Sequence, residues 1–96
     1  MSTRKRHYII CYDISDGKKR QRVSKLLLNY GTRVQKSVFE LYVTDARLTQ
    51  CVGELRTHIT DVDSVRIYNL GVAGAEQTLL LGNAKAIPTP TTHLII

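Results

Sequence analysis

The stretch HYIICYDISDGKKRQRVSKLLLNYG, His7 to Gly31, sets the frame of the fold, because its hydrophobic period changes at one aspartate. His7 to Tyr12 is apolar, β-branched and aromatic without polar alternation, the pattern of a central strand covered on both faces. Asp13 closes that run. Ser15 or Asp16 then offers a side-chain oxygen to the first free N–H groups of a helix, and Val23, Leu26, Leu27 and Tyr30 recur at i, i+3, i+4 and i+7. Gly31 is the predicted helix stop, since glycine leaves the helical conformation without steric cost. On this helix Lys18, Arg22 and Lys25 fall opposite the apolar stripe, Arg20 lies near its edge close to the strand end, and Leu28 points outward.

Working outward, RVQKSVFELYV (Arg33 to Val43) is strongly strand-like, with Ser37, Phe39, Leu41 and Val43 on one face and Val38, Glu40 and Tyr42 on the other. The residues alone do not place a hairpin turn inside it. Thr44 or Asp45 caps a second helix whose apolar stripe is Leu48, Cys51, Val52, Leu55 and Ile59, and Asp61 to Asp63 break it. Ser64 to Leu70 reads as a further strand. The order strand, helix, strand or strand pair, helix, strand favours a two-layer sandwich with both helices on one face of the sheet. The other face is left bare. Beyond Leu70, glycines and prolines separate two apolar islands, Thr78 to Leu81 and Leu94 to Ile96. Residues 79–96 are read as a tail on a domain spanning 1–78, and its apolar end is expected to be buried as an added strand on a sheet edge, either its own or that of a second copy.

The chain has 96 residues, 43% apolar and 23% charged, which fits one globular domain whose small core would gain from pairing with a second copy. No apolar run approaches the roughly 20 residues that span a bilayer, and the basic start turns polar too soon for a signal peptide, so a cytoplasmic protein without a membrane partner is expected. Cys11 and Cys51 stand outside any C-x-x-C spacing and read as reduced, mostly buried thiols. The net charge of +6 is uneven: residues 1–36 carry +8 and residues 37–96 carry −2. That asymmetry points to a polyanion, and hence to nucleic acid.

No glycine-rich phosphate loop, H-E-x-x-H motif or legible Ser-His-Asp arrangement is present. Asp13 is the carboxylate placed for chemistry, because side chains converge at the end of a central strand. Asp16 reads as a helix cap. One carboxylate holds a divalent cation poorly, yet Mg²⁺ commonly takes one or two together with waters and substrate phosphate oxygens. In a homodimer packed through the bare sheet faces, Asp13 would meet its symmetry mate, and Lys19, Arg20, Arg22 and Arg33 would flank the pair as phosphate clamps. A metal there would polarise a phosphodiester and activate water.

The segment from Tyr12 to Val43, with its apolar strand ending Tyr-Asp-Ile, its Lys/Arg-rich helix start and the run GTRVQKSVFE, resembles the second core family of CRISPR-associated proteins, small prokaryotic adaptation proteins often named endoribonucleases. The similarity runs from about His7 to Leu70. It implies an α+β, ferredoxin-like βαββαβ fold with an antiparallel sheet, both helices on one face and a short C-terminal strand, assembled as a homodimer whose last strand crosses to the partner's sheet. RVQ and SVFELYV become adjacent strands. Asp13 becomes the ligand of Mg²⁺ or Mn²⁺, one from each chain, and Tyr12, Arg20, Arg22, Arg33 and Phe39 occupy positions associated with nuclease activity. The resemblance also implies two roles: a metal-dependent endonuclease acting on RNA or duplex DNA, and a non-catalytic scaffold that grips duplex DNA and bridges the CRISPR spacer integrase. In either role Lys18, Lys19, Arg20, Arg22 and Arg33 are the candidate contacts to nucleic acid.

Overall fold

In the computed structural model, residues 4–70 and 78–82 are described. The elements are β1 (Lys5–Asp13), α1 (Gly17–Leu28), β2 (Gly31–Gln35), β3 (Val38–Thr44), α2 (Asp45–Arg56), β4 (Ser64–Asn69) and β5 (Thr78–Gly82). They form one antiparallel sheet in the order β2-β3-β1-β4-β5. Each helix joins strands that are not neighbours: α1 carries the chain from β1 past β3 to β2, and α2 carries it from β3 past β1 to β4. Interleaving two such crossovers places β1 and β3 side by side in the middle, which is the ferredoxin-like arrangement.

Period-2 alternation along the strands decides what is buried. Tyr8, Ile10 and Tyr12 of β1, Phe39, Leu41 and Val43 of β3, Val65 and Ile67 of β4 and Leu81 of β5 face the helices. Val23, Leu27 and Tyr30 meet them from α1 and its end, and Cys51, Val52 and Leu55 from α2. Among the described residues no helix covers the opposite face. The apolar second face expected for β1 is nevertheless there: Ile9, paired with Glu40 and Tyr68, and Val38, paired with Cys11, are both buried by their sheet neighbours.

Two local expectations are corrected. The first helix ends at Leu28, with Asn29 as its C-cap in a right-handed helical conformation, rather than at Gly31. Gly31 opens β2 instead, where a Cβ would overlap the Glu40 carbonyl oxygen and lie 2.9 Å from the Leu41 side chain. Its glycine is required by close strand approach. Ser37 lies in the β2–β3 turn with Lys36 and not, as alternation predicts, on the strand face of Phe39. Cys11 is half-buried on the open face, whereas Cys51 is fully buried, and both are free thiols. The strand Thr78–Gly82 pairs with β4 of its own chain, and the apolar end Leu94 to Ile96 lies outside the described residues.

Candidate functional site

Asp13 is the last residue of β1, opposite Ser64 of β4, and its side chain is exposed. Because Tyr12 faces the core, alternation turns Asp13 to the open side of the sheet. On its other flank β1 meets the β2–β3 turn, where the Tyr12 N–H donates to the Ser37 carbonyl at 3.1 Å. The strand end and the turn enclose a shallow depression of about 190 Å³ lined by Tyr12, Asp13, Ile14, Arg20, Lys36 and Ser37.

The loop after Asp13 is fixed from two directions. Asp16 is the N-cap of α1, its Oδ1 accepting the Lys18 N–H at 2.9 Å and the Lys19 N–H at 3.1 Å. That choice over Ser15 places a carboxylate at the positive end of the helix. Arg20 folds back so that Nη1 donates to the carbonyls of Ile14 at 2.9 Å and Ser15 at 3.3 Å. The turn on the far side is fixed likewise. Arg33 sends Nη2 to the Lys36 carbonyl at 2.7 Å and Nε to the same oxygen at 3.2 Å, with the Tyr12 hydroxyl donating to it at 3.4 Å.

The residues singled out from the sequence therefore separate into groups. Tyr12, Asp13 and Arg20 line one depression, and Arg33 borders it through the Lys36 carbonyl that it shares with Tyr12. Lys18 and Arg22 are exposed on α1. Phe39 is fully buried, its ring stacked against Tyr12 at 6.2 Å between centroids, so it supports the depression from inside the core. Lys19 is turned away to Asp63, with Nζ 2.7 Å from Oδ2. Burial alone would raise the Asp63 carboxyl, but hydrogen bonds from Lys19 and Thr60 outweigh it and hold the group below its ordinary value.

Sequence reasoning missed Asp63, which it treated as a helix breaker, and gave no role to Lys36 or Ser37. Asp63 and Lys19 are 44 residues apart and share no motif, so the only available signal was the Thr-x-x-Asp pattern of a side-chain-stabilised turn. As for a metal, no group of three or more His, Cys, Asp or Glu gathers among the described residues. Asp13 presents one exposed hard carboxylate to the depression, and Asp16 commits an oxygen to the helix. That donor set suits a cation that keeps most of its waters.

Among the described residues no helix is long and apolar enough to cross a membrane. In comparison with known proteins, the family model described as "CRISPR associated protein Cas2" matches residues 6–78. A CRISPR-associated endoribonuclease Cas2 of Rhodospirillum rubrum is 48% identical over 64% of this chain, and the chain spans 50% of that relative's length. A CRISPR-associated endonuclease Cas2 of Thermus thermophilus is 41% identical over 81% of this chain and 86% of its own length. The crystal structure of Streptococcus pyogenes Cas2 at pH 6.5 superposes with a TM-score of 0.63 at 37% identity, covering 68% of this chain and 86% of that one.

Proposed function

This chain belongs to the CRISPR-associated Cas2 family, as the match over residues 6–78 establishes, and from that premise we propose that it acts in CRISPR spacer acquisition as a homodimer with a metal-dependent phosphodiesterase site built on Asp13. The observation that carries this reading is the exposed carboxylate at the end of the central strand, in a depression walled by Arg20 and Lys36. Arg20 commits Nη1 to the loop, so its guanidinium is held in place while its remaining N–H groups can meet a phosphate. Arg22 and Lys18 extend the positive surface along the exposed side of α1. The names of relatives divide between endoribonuclease and endonuclease, and the substrate class proposed is correspondingly RNA or duplex DNA.

The open sheet face supports homodimerisation. Cys11, Tyr42 and Tyr68 leave apolar surface on it around the buried Ile9 and Val38, no helix of the described chain covers that surface, and a second copy laid there would bring the two Asp13 residues toward one axis. Mg²⁺ or Mn²⁺ held by Asp13 from both copies would supply polarisation of the phosphodiester and a more acidic water. The chain's own residues orient the backbone through Arg20 and Arg22 and keep the loop carbonyls turned away from the anion.

A second reading has its own observation in its favour. The exposed cations Lys18, Arg22 and Lys25 run along α1 beyond the depression, as a surface that grips a phosphate backbone without cutting it would require. In that reading the dimer holds duplex DNA and bridges the CRISPR spacer integrase. One comparison separates the two. Asp13→Asn is expected to abolish metal-dependent cleavage of RNA and duplex DNA while leaving nucleic-acid affinity, measured by fluorescence anisotropy, within about threefold of wild type. Cleavage by Asp13→Asn at the wild-type rate refutes the nuclease assignment. Spacer acquisition that survives Asp13→Asn but fails in Lys18→Ala/Arg20→Ala/Arg22→Ala assigns the scaffold role.

A further inference from the structure

Lys19 and Arg20 are neighbours in sequence with different commitments. Arg20 holds the carbonyls of Ile14 and Ser15. Lys19 reaches across to the turn before β4, where Nζ lies 2.7 Å from Asp63 Oδ2 and 3.5 Å from Thr60 Oγ1. The same Oδ2 accepts the Thr60 N–H at 2.9 Å and the Thr60 hydroxyl at 3.1 Å, so three donors converge on one carboxylate oxygen of a residue 2% exposed. The turn is also packed from above. Gly82 of β5 has φ +66, and a Cβ there would overlap the Asp63 carbonyl and lie 3.0 Å from the Thr60 carbonyl oxygen.

These contacts have a topological consequence. Asp13 is paired across the sheet with Ser64, and Lys19 is ion-paired with Asp63, the residue next to Ser64. Segment 13–19 is thus pinned at both ends to two adjacent residues. A loop so closed has little freedom to re-aim what it carries, because each end is tied to buried or sheet-paired groups. An ammonium held by a buried carboxylate is moreover unavailable to a phosphate, since leaving would strand that charge.

We infer that Lys19 is a positioning residue and not a phosphate contact: through Asp63 it closes segment 13–19 onto the start of β4 and so sets the direction in which Asp13 and Arg20 face nucleic acid. The functional half of this inference rests on the proposed nucleic-acid site, whereas the closure itself does not.

The test uses the full chain carrying Lys19→Met, Asp63→Asn, both together, or Thr60→Ala, with two readouts. In backbone amide exchange, either single variant is expected to speed residues 14–19 by about tenfold while amides of β1 and β3 around Ile10 and Phe39 keep wild-type protection. The double variant should add little, because both changes break one link. Thr60→Ala removes the hydroxyl that donates to Asp63 and accepts weakly from Lys19, leaves the ion pair, and should give a smaller increase in the same segment, which keeps the test informative if a charge variant folds poorly. In duplex-DNA binding against salt, a lost phosphate contact lowers the slope by about one, so Lys19→Met should weaken binding severalfold with the slope unchanged, and Asp63→Asn should weaken it in the same direction. Unchanged exchange in segment 14–19 overturns the inference. So does a slope lower by about one in Lys19→Met together with tighter binding in Asp63→Asn, which frees the ammonium. A wild-type chain that binds neither duplex DNA nor RNA refutes the proposed function, and the amide readout still decides the closure.

Discussion

Replacing Phe39 by alanine tests whether the stacked aromatic beneath the depression belongs to the core or to the chemistry. Phe39 is 0% exposed, sits opposite Ile10 in the β1–β3 ladder and Arg33 in the β2–β3 ladder, and stacks on Tyr12 with an interplanar angle of 27°. Truncation removes a whole ring where the sheet backbone cannot collapse to refill it, a change that costs about 3–5 kcal/mol. A domain of this size holds on the order of 5–14 kcal/mol in total, so Phe39→Ala is expected to lose about a fifth of its stability or more. With about 4–8 °C per kcal/mol, the melting temperature should fall by at least about 12 °C. Phe39→Leu refills most of the volume and is expected to cost roughly 1.5 kcal/mol. Urea titration followed by circular dichroism gives both values, and cleavage and binding are then compared at a temperature where each variant is more than about nine-tenths folded. A loss below about 1 kcal/mol in Phe39→Ala would show that the ring is not buried as described. A folded Phe39→Leu that binds normally but cuts nothing would show that the ring serves the chemistry through Tyr12, on which it stacks.

Three more outcomes follow from the packing. Gly31→Ala sets a methyl against the Glu40 carbonyl and is expected to destabilise by about 1–3 kcal/mol in the same titration, and a neutral result would mean that β2 and β3 approach less closely. Asp63, held below its ordinary value, contributes stability that is fully present above the unfolded carboxyl value near pH 4 and is lost as pH falls through the folded value; acid titration of unfolding should be steeper below about pH 4 in wild type than in Asp63→Asn, and equal slopes would deny the ion pair. Burial pushes the Cys51 thiol up to about 12, with Glu54 adding to it, while half-exposed Cys11 is also raised by burial. Native protein treated with a thiol reagent at pH 8 should therefore label Cys11 well before Cys51, and simultaneous labelling would contradict the core placement.

Much of this was legible from residue order. The change from a continuous apolar run to a 3.6-residue period at Asp13 located β1 and α1, and the stripe from Leu48 to Ile59 located α2 but overran its end at Arg56, because Ile59 packs on the core from the following turn. Gly31 follows an apolar stripe, where glycine signals a helix end, while the actual reason for it is a backbone on another strand. The β2–β3 turn was illegible in the residues for a similar cause: Lys36 and Ser37 carry no glycine or proline, and what closes the turn is Arg33 returning to the Lys36 carbonyl.

For the site, sequence by itself determined which groups are chemically capable: a carboxylate where a central strand ends, and a concentration of Lys and Arg just beyond it. Those are properties of residue type and short spacing. Tertiary structure alone decided how the cations divide, sending Lys19 to Asp63, Arg20 to the loop carbonyls and Arg33 to the hairpin, and leaving Lys18 and Arg22 exposed. No local pattern could separate them, because a charge is assigned by the partner that desolvation forces on it, and that partner, Asp63, arrives from the far side of two crossovers.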